Sequence, residues 1–407
     1  HSTTALKRWS CGDNQNLPPK DQIKSIHVYD FDNTLFASPL PNKEIWFGPT
    51  IGSLQTQHCF VNGGWWHDSS ILAATGEGID KEEPRAWEGW WNEQIVQLVE
   101  LSMQQKDALT VLLTGRNEQN FAPLIKRIVA SKKLEFDLIA LKPAVSPSGY
   151  KFSTTMDFKQ AFLTALVHTY HLASEIRVYE DRPKHTQGFR TFFEAFNTAL
   201  HREYPPPPIP RKPFTANVIQ VPENVINLDP TTEIAAVQRL INLHNTAVRS
   251  GTAPPSAYPL KIVRNVFYTA YLIPRTASQQ LQSLVPIAPN SQNDTRHLAN
   301  SILISTMNPV RADLLTRVGG IGHTVQWRVT GVATFENKLW AARVEPVNPN
   351  ERVWTDPRTP LVVLALRKGA RPADASRIHN WQPVSEDKQF VFEATVGEKV
   401  VLKIDEE

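Results

Sequence analysis

Four short segments bring together residue types that can act on an anion. Asp30, Asp32 and Thr34 are spaced two apart, Thr114 precedes Gly115 and Arg116, Lys159 stands alone, and Glu180 adjoins Asp181. Carboxylates can attack an electrophile, carry protons, or offer hard oxygen ligands to a cation. A hydroxyl and an ammonium can hold negative charge as it develops. Singly, each residue has an ordinary explanation: acids finish strands, and a threonine caps the helix that follows. It is their order and setting that point to chemistry.

The setting is a strand–helix alternation. Asp30 follows the β-type run Ile26–Tyr29, Thr114 follows Leu109–Leu113, and Glu180 follows the run Glu175–Val178. Lys159 lies at the start of a helix expected from Phe158 to about His171. Apolar spacing predicts further helices over Glu88–Met103, Phe121–Ser131 and through Phe189 and Phe193, with a strand over Leu134–Leu141. Such alternation predicts a parallel α/β sheet, whose carboxyl edge is where ligands bind.

The four segments, in this order, resemble the motifs of the HAD superfamily. The strings Val28–Phe36, Leu112–Arg116 and Tyr179–His185, with Gly63–His67 and Trp87–Asn92 between them, resemble its branch named for Swiss Army Knife RNA repair proteins. The resemblance covers roughly 24–200. It implies a Mg²⁺-dependent phosphohydrolase with a HAD-type Rossmannoid sheet and a C1-type cap insert. A bridging Mg²⁺ would offset the repulsion between a carboxylate nucleophile and a phosphate ester. By the same resemblance Asp30 attacks phosphorus and Asp32 serves as general acid and base. Thr114 and Lys159 hold the phosphoryl oxygens, and Asp30, Asp32, Glu180 and Asp181 form the metal set. Lys142 and Lys151 are rivals to Lys159, and Glu180 is either a metal ligand or a structural acid. Gly115, Arg116, Arg182, His185, Trp65 and Trp66 are candidates for substrate binding.

Organisation along the chain follows from composition. Residues 1–23 are polar and aperiodic and read as an extended arm. The HAD domain spans 24–204, with the cap insert at about 37–105. Six of the eleven tryptophans fall between Trp46 and Trp91, where they either pack the insert or stack on bases. The run Pro205–Pro213 reads as a stiff linker over 205–215. Beyond it, 216–407 reads as a β-rich α+β domain. A helix is expected over Thr232–Val248, then strands at Phe267–Ile273, Ser301–Ser305, Val325–Phe335, Lys338–Val344, Pro360–Leu366, Phe390–Thr395 and Val400–Ile404. This half resembles the 2H phosphoesterase and tRNA-ligase phosphodiesterase folds, with Ser301–Ser305 and Val362–Ala365 as the motif strands. None of His297, His323 and His379 stands in the His-x-Thr/Ser motif those enzymes need, so the resemblance implies a lobe without that chemistry. The short basic loop Arg367–Pro372 is either a phosphate contact or a solvated turn.

Charge and cysteine usage narrow the classes. A net charge of +3 over 407 residues is too weak a basic balance to announce nucleic acid by itself. There is no apolar run long enough to span a membrane. Cys11 and Cys59 provide no disulfide framework, which suits a reducing intracellular compartment, cytoplasm or nucleus. The chain opens His1-Ser2-Thr3 without Met, so a removed targeting segment, mitochondrial included, stays open. The reading is a phosphatase for phosphorylated RNA ends or nucleotides. Its alternatives are a small-metabolite or protein phosphatase, and a non-catalytic RNA- or protein-binding module on a relict core. No sequence feature names a protein partner.

Overall fold

The computed structural model describes residues 1–14, 16–75, 77–202, 211–286, 295–307 and 310–407. Two compact units divide the chain: His1–Ile262 with Ile404–Glu407, and Val263–Lys403.

The first unit is built on five parallel strands. These are β1 (Ser25–Tyr29), β2 (Ala108–Asn117), β3 (Leu138–Lys142), β4 (Glu175–Glu180) and β5 (Thr215–Gln220), in the order β3-β2-β1-β4-β5. Strands buried on both faces need apolar residues at nearly every position, and Ser25–Tyr29 is buried from Ile26 onward. Alternate residues serve opposite faces. Ile26 and Val28 join the core formed with Phe158, Phe162, Leu166 and Phe189. Tyr29, in the opposite phase, sends its hydroxyl the other way, to Leu98 O at 3.0 Å.

Nine helices belong to the described part of this unit: α1 (Thr3–Lys7), α2 (Gly48–Gln55), α3 (Ser69–Ala73), α4 (Ile79–Glu82), α5 (Glu93–Gln104), α6 (Glu118–Ser131), α7 (Thr155–Thr169), α8 (Pro183–Arg202) and α9 (Pro230–Arg249). The chain leaves β1 for one side of the sheet and returns for β4 on the other, so β1 and β4 flank a topological switch point.

Three expectations are redrawn. The arm 1–23 is not merely extended: α1 packs on α7, and Leu6 and Ile23 are fully buried in the main core. The apolar residues Leu6, Trp9, Leu17 and Ile23 are too sparse to show a period, yet they suffice to seal the sheet. The insert expected at about 37–105 ends earlier as a cap, because α5 packs on β2 and forms the crossover back into the sheet. The break expected at the proline run is displaced. β5 lies beyond that run yet pairs with β4 over Glu175–Glu180, and α9 packs on α3, so the division falls at 262. Residues 205–210 of the expected linker lie outside the described residues.

The second unit is a separate, β-rich, barrel-containing body. Its strands are β6 (Leu260–Leu272), β7 (Thr295–His297), β8 (Ser301–Ser305), β9 (Thr324–Phe335), β10 (Leu339–Pro346), β11 (Leu361–Arg367), β12 (Gln382–Pro383) and β13 (Val391–Glu406). They run β10-β11-β8-β6-β13-β9, and β9 pairs back onto β10, which closes the ring. Tyr271, Trp327, Ile302 and Phe392 fill the core. The two runs expected at Phe390–Thr395 and Val400–Ile404 are one continuous strand, β13, through Gly397. The expected motif strands are β8 and β11, paired at Ile302 and Val362, and neither carries a histidine.

Candidate active site

Asp30 is the first residue past β1, and its N–H donates to Tyr179 O at 3.0 Å. That bond ties the β1 loop to the end of β4, where Glu180 and Asp181 follow. The next residues turn sharply, with Asn33 in the left-handed region at φ 58°. Leu35 and Phe36 N–H groups close back onto Phe31 O. The turn brings the Thr34 hydroxyl to 3.4 Å from Asp30 Oδ2 and 3.3 Å from Asp181 Oδ1.

Lys159 enters from α7, whose start is fixed by a capping box between Thr154 and Asp157. Its ammonium donates to Asp30 Oδ1 at 2.8 Å and to Glu180 Oε2 at 3.0 Å, with the side chain 1% exposed. Of the three candidate lysines, only Lys159 makes these bonds; Lys142 and Lys151 stand on the wall of the adjoining cavity. Gly115 permits this approach of α7 to β2, because a Cβ there would collide with the Thr155 side chain.

Asp30, Glu180 and Asp181 present carboxylate oxygens within 4.8 Å of one another. Burial, with repulsion from Glu180, raises the Asp30 pKa to about 7 against the pull of Lys159. Burial, then Asp30 and Glu180, raises Asp181 to about 8. Glu180 goes the other way: burial opposes its ionisation, but Lys159, His185 and Arg182 outweigh that and hold it well below the carboxylate range. Three buried acids therefore face one buried ammonium, and the raised pKa values of Asp30 and Asp181 reflect that excess of negative charge. A hard cation suits such a donor set, since it takes oxygen ligands and favours the ionised form of each. The cluster can coordinate a divalent cation.

Asp32, expected in the metal set, stands outside that cluster. Arg116 forks over its carboxylate, Nη2 to Oδ1 at 2.8 Å and Nε to Oδ2 at 3.0 Å, and the Ser38 hydroxyl donates at 2.5 Å. Burial would raise the Asp32 pKa, but Arg116 and Ser38 hold it lowered. Arg116 is itself gripped between the rings of Trp66 and Phe121, 4.9 and 4.5 Å from their centroids. Thr114 is fully buried, and its hydroxyl lies 3.5 Å from Asp32 Oδ2.

A cavity of about 560 Å³ opens over these groups, with Asp30, Asp32, Asp181, Gly115, Arg116, Arg182 and Trp66 on its wall. Trp65 is 1% exposed and donates its Nε1–H to Pro39 O, so it packs the insert instead of facing this cavity. Trp46, Trp87, Trp90 and Trp91 are likewise buried. His185 is off the cavity wall, its Nδ1 3.5 Å from Glu180 Oε2. Ser38, His67 and Glu223 were missed in the sequence. Ser38 stands at no motif spacing, and Glu223 follows a strand hidden beyond the proline run.

Acids at the carboxyl edge of a parallel sheet, a lysine from the helix before β4 and a cap inserted after the first strand define a HAD-type phosphohydrolase fold. The family described as HAD domain family 1 in Swiss Army Knife RNA repair proteins matches residues 38–246, half of the chain, and the chain belongs to it. The matched stretch starts just past the Asp30–Thr34 turn and runs through β5 into α9. A Saccharomyces cerevisiae (strain ATCC 204508 / S288c) protein, printed as uncharacterized protein YMR265C, is 31% identical over 227 residues, covering 52% of this chain and 46% of its own length. The chain thus spans about half the length of that relative. No solved structure matches it. Among the described residues, no helix is long and apolar enough to cross a membrane.

Proposed function

We propose that the chain is a Mg²⁺-dependent phosphomonoester hydrolase with Asp30 as nucleophile, acting on phosphorylated RNA ends or nucleotides. One observation carries this reading: the Asp30–Glu180–Asp181 cluster opens onto a cavity whose wall bears Arg116, Lys142, Lys151 and Arg182. Cations on the wall draw a phosphate dianion inward, and the acids supply the nucleophile and the metal ligands.

Asp30 and Asp181, with Glu180 behind them, would hold Mg²⁺, which supplies charge neutralisation between the carboxylate and the phosphate when bound. An Asp30 oxygen forms the new bond to phosphorus while the bond to the leaving oxygen breaks, giving an aspartyl-phosphate. Lys159 keeps Asp30 aimed and ionised. Asp32 gives its proton to the leaving oxygen, then takes one from the water that attacks the aspartyl-phosphate. Inorganic phosphate leaves and Asp30 is restored. A proton on Asp32 requires Arg116 to loosen its fork, and a phosphate oxygen in the cavity competes for that same guanidinium. The description of the family supports an RNA end as substrate.

The test is phosphate release with Mg²⁺ from RNA oligonucleotides carrying a 2′-, 3′- or 5′-phosphate, beside nitrophenyl phosphate and an Asp30→Asn control. Release from one RNA end by the unaltered chain alone is expected. Release from nitrophenyl phosphate but from no RNA would leave the phosphatase and remove the RNA substrate. No release from any ester would overturn the reading.

A further inference from the structure

Two cavities of the first unit meet. The one over the acids and a larger one of about 750 Å³ share Gln57, His67 and Asn117 in their walls. Both volumes are in the range of ligand clefts, roughly 300–1,000 Å³. Their charged groups differ: the first carries four acids, Asp30, Asp32, Asp181 and Glu223, beside four cations. Arg116, Lys142, Lys151 and Arg182 line the first. The larger cavity has no lysine or arginine on its described wall, which instead carries Asp405, Glu406 and the amides of Asn62 and Asn120. The cations that can pair with a phosphate therefore stand in the first cavity, and the described wall of the second offers none.

The larger cavity is also firmly built. Val61 N–H donates to His244 Nδ1 at 3.2 Å, and Nε2 lies 3.0 Å from Tyr258 O, so both ring nitrogens are engaged and the ring is pinned. Asn245 bonds both the N–H and the C=O of Leu260 at 2.8 Å. Ile404 N–H reaches Thr50 Oγ1 at 3.3 Å and holds the chain's last residues in the wall. At the junction of the two cavities, burial, helped by Arg116 and Lys142, keeps His67 neutral against a bond to Gly63. Gln57 is exposed and lines both cavities, and its side chain carries both donor and acceptor groups. A site of amides, imidazoles and aromatic rings beside one that holds the cations suits a flat, uncharged group with hydrogen-bonding edges, attached to a phosphate.

We propose that the larger cavity is the subsite for the nucleoside that bears the scissile phosphate, with Gln57 reading its edge at the junction. This rests on the phosphatase reading for its place in catalysis, but not for binding.

Two measurements on the full chain test it. The first compares kcat/KM for nucleoside monophosphates with that for ribose phosphate, which has the same leaving alcohol without the base. At least a tenfold preference for a nucleotide is expected, expressed in KM. That ratio should fall to within threefold in Gln57→Ala and in Ser256→Trp, which narrows the larger cavity from its exposed rim. The second is saturation-transfer NMR with unphosphorylated adenosine, guanosine, cytidine and uridine. Transfer to at least one nucleoside with the unaltered chain, lost in Ser256→Trp, is expected. No preference over ribose phosphate, or a preference that survives both substitutions, would overturn the subsite. So would the absence of nucleoside binding. Nucleoside binding without hydrolysis of any ester, nitrophenyl phosphate included, would uphold the subsite and sink the phosphatase reading alone.

Discussion

Asp30 and Lys159 share one hydrogen bond and two different fates on substitution. Asp30→Asn keeps the shape and removes the nucleophile, so phosphate release should fall roughly 10⁴-fold or more while the fold persists. Parallel steady-state assays and circular dichroism check this; retained activity would remove Asp30 from the chemistry. Lys159→Met instead leaves Asp30 and Glu180 without their buried cation. Breaking a buried pair by losing one partner costs about 3–5 kcal/mol, so its urea midpoint should fall markedly. Arg116→Ala should raise KM, because the guanidinium faces the cavity, and an unchanged KM would show that the fork on Asp32 is structural only. At this scale the sequence was legible where residue types stand beside a strand end or a helix start: Asp30 and Asp181 lie in one acid cluster, and Lys159 of α7 reaches Asp30. It was not legible where a side chain's direction decides. Trp65 and Trp66 are neighbours of one type, yet one packs on Pro39 and the other stacks on the arginine at the cavity.

The elements that carry the site were readable in proportion to their periodicity. β1, β2 and β4 each carry a buried apolar series, Ile26 and Val28, Leu109 to Leu113, Ile176 and Val178, and end beside the site, whereas β5, Thr-Ala-Asn-Val-Ile-Gln, is largely polar and half-covered at the sheet edge. A proline run before it and little apolar signal within it hid a strand that pairs along its whole length with β4. The same blindness hid α9 as a partner of the insert. Glu233 on α9 is fully buried and accepts from Trp46 Nε1 at 2.6 Å and Asn42 N at 3.0 Å, while its second oxygen has no partner. Burial raises its pKa despite those bonds. A carboxyl with a raised folded pKa adds stability that is fully present below its unfolded pKa and lost as pH rises through the folded one. Glu233→Gln keeps an acceptor for the two donors and removes the charge. It should therefore raise Tm near pH 7, at about 2–4 °C per kcal/mol, and leave Tm nearly unchanged near pH 4. Calorimetry at the two pH values decides it, and an equal effect at both would mean that the charge is irrelevant.

Across the whole chain, two cores are built by different means. One is a parallel sheet held by helices around Phe158 and Phe162, the other a closed strand ring around Trp327. Strands beyond residue 262 were legible as short runs, but closure was not, because it needs β13 to pair between β6 and β9, strands far from it in sequence. Among the described residues, the acid cluster lies in the first unit. Linkage then separates the two in one scan: a ligand that binds the native state alone stabilises by about 2.7 kcal/mol at a hundredfold excess over its Kd. For a unit of this size that is a Tm rise of roughly 5–10 °C. Calorimetry with and without saturating Mg²⁺ should resolve two transitions and move only that of the His1–Ile262 unit. Asp181→Asn removes one of the three ligands and should abolish most of the rise, while Asp32→Asn, whose carboxylate is engaged by Arg116 and Ser38, should leave most of it. If Asp32→Asn erased the rise and Asp181→Asn did not, the cation would belong beside Asp32, and the grouping of Asp30, Glu180 and Asp181 as its ligands would be wrong.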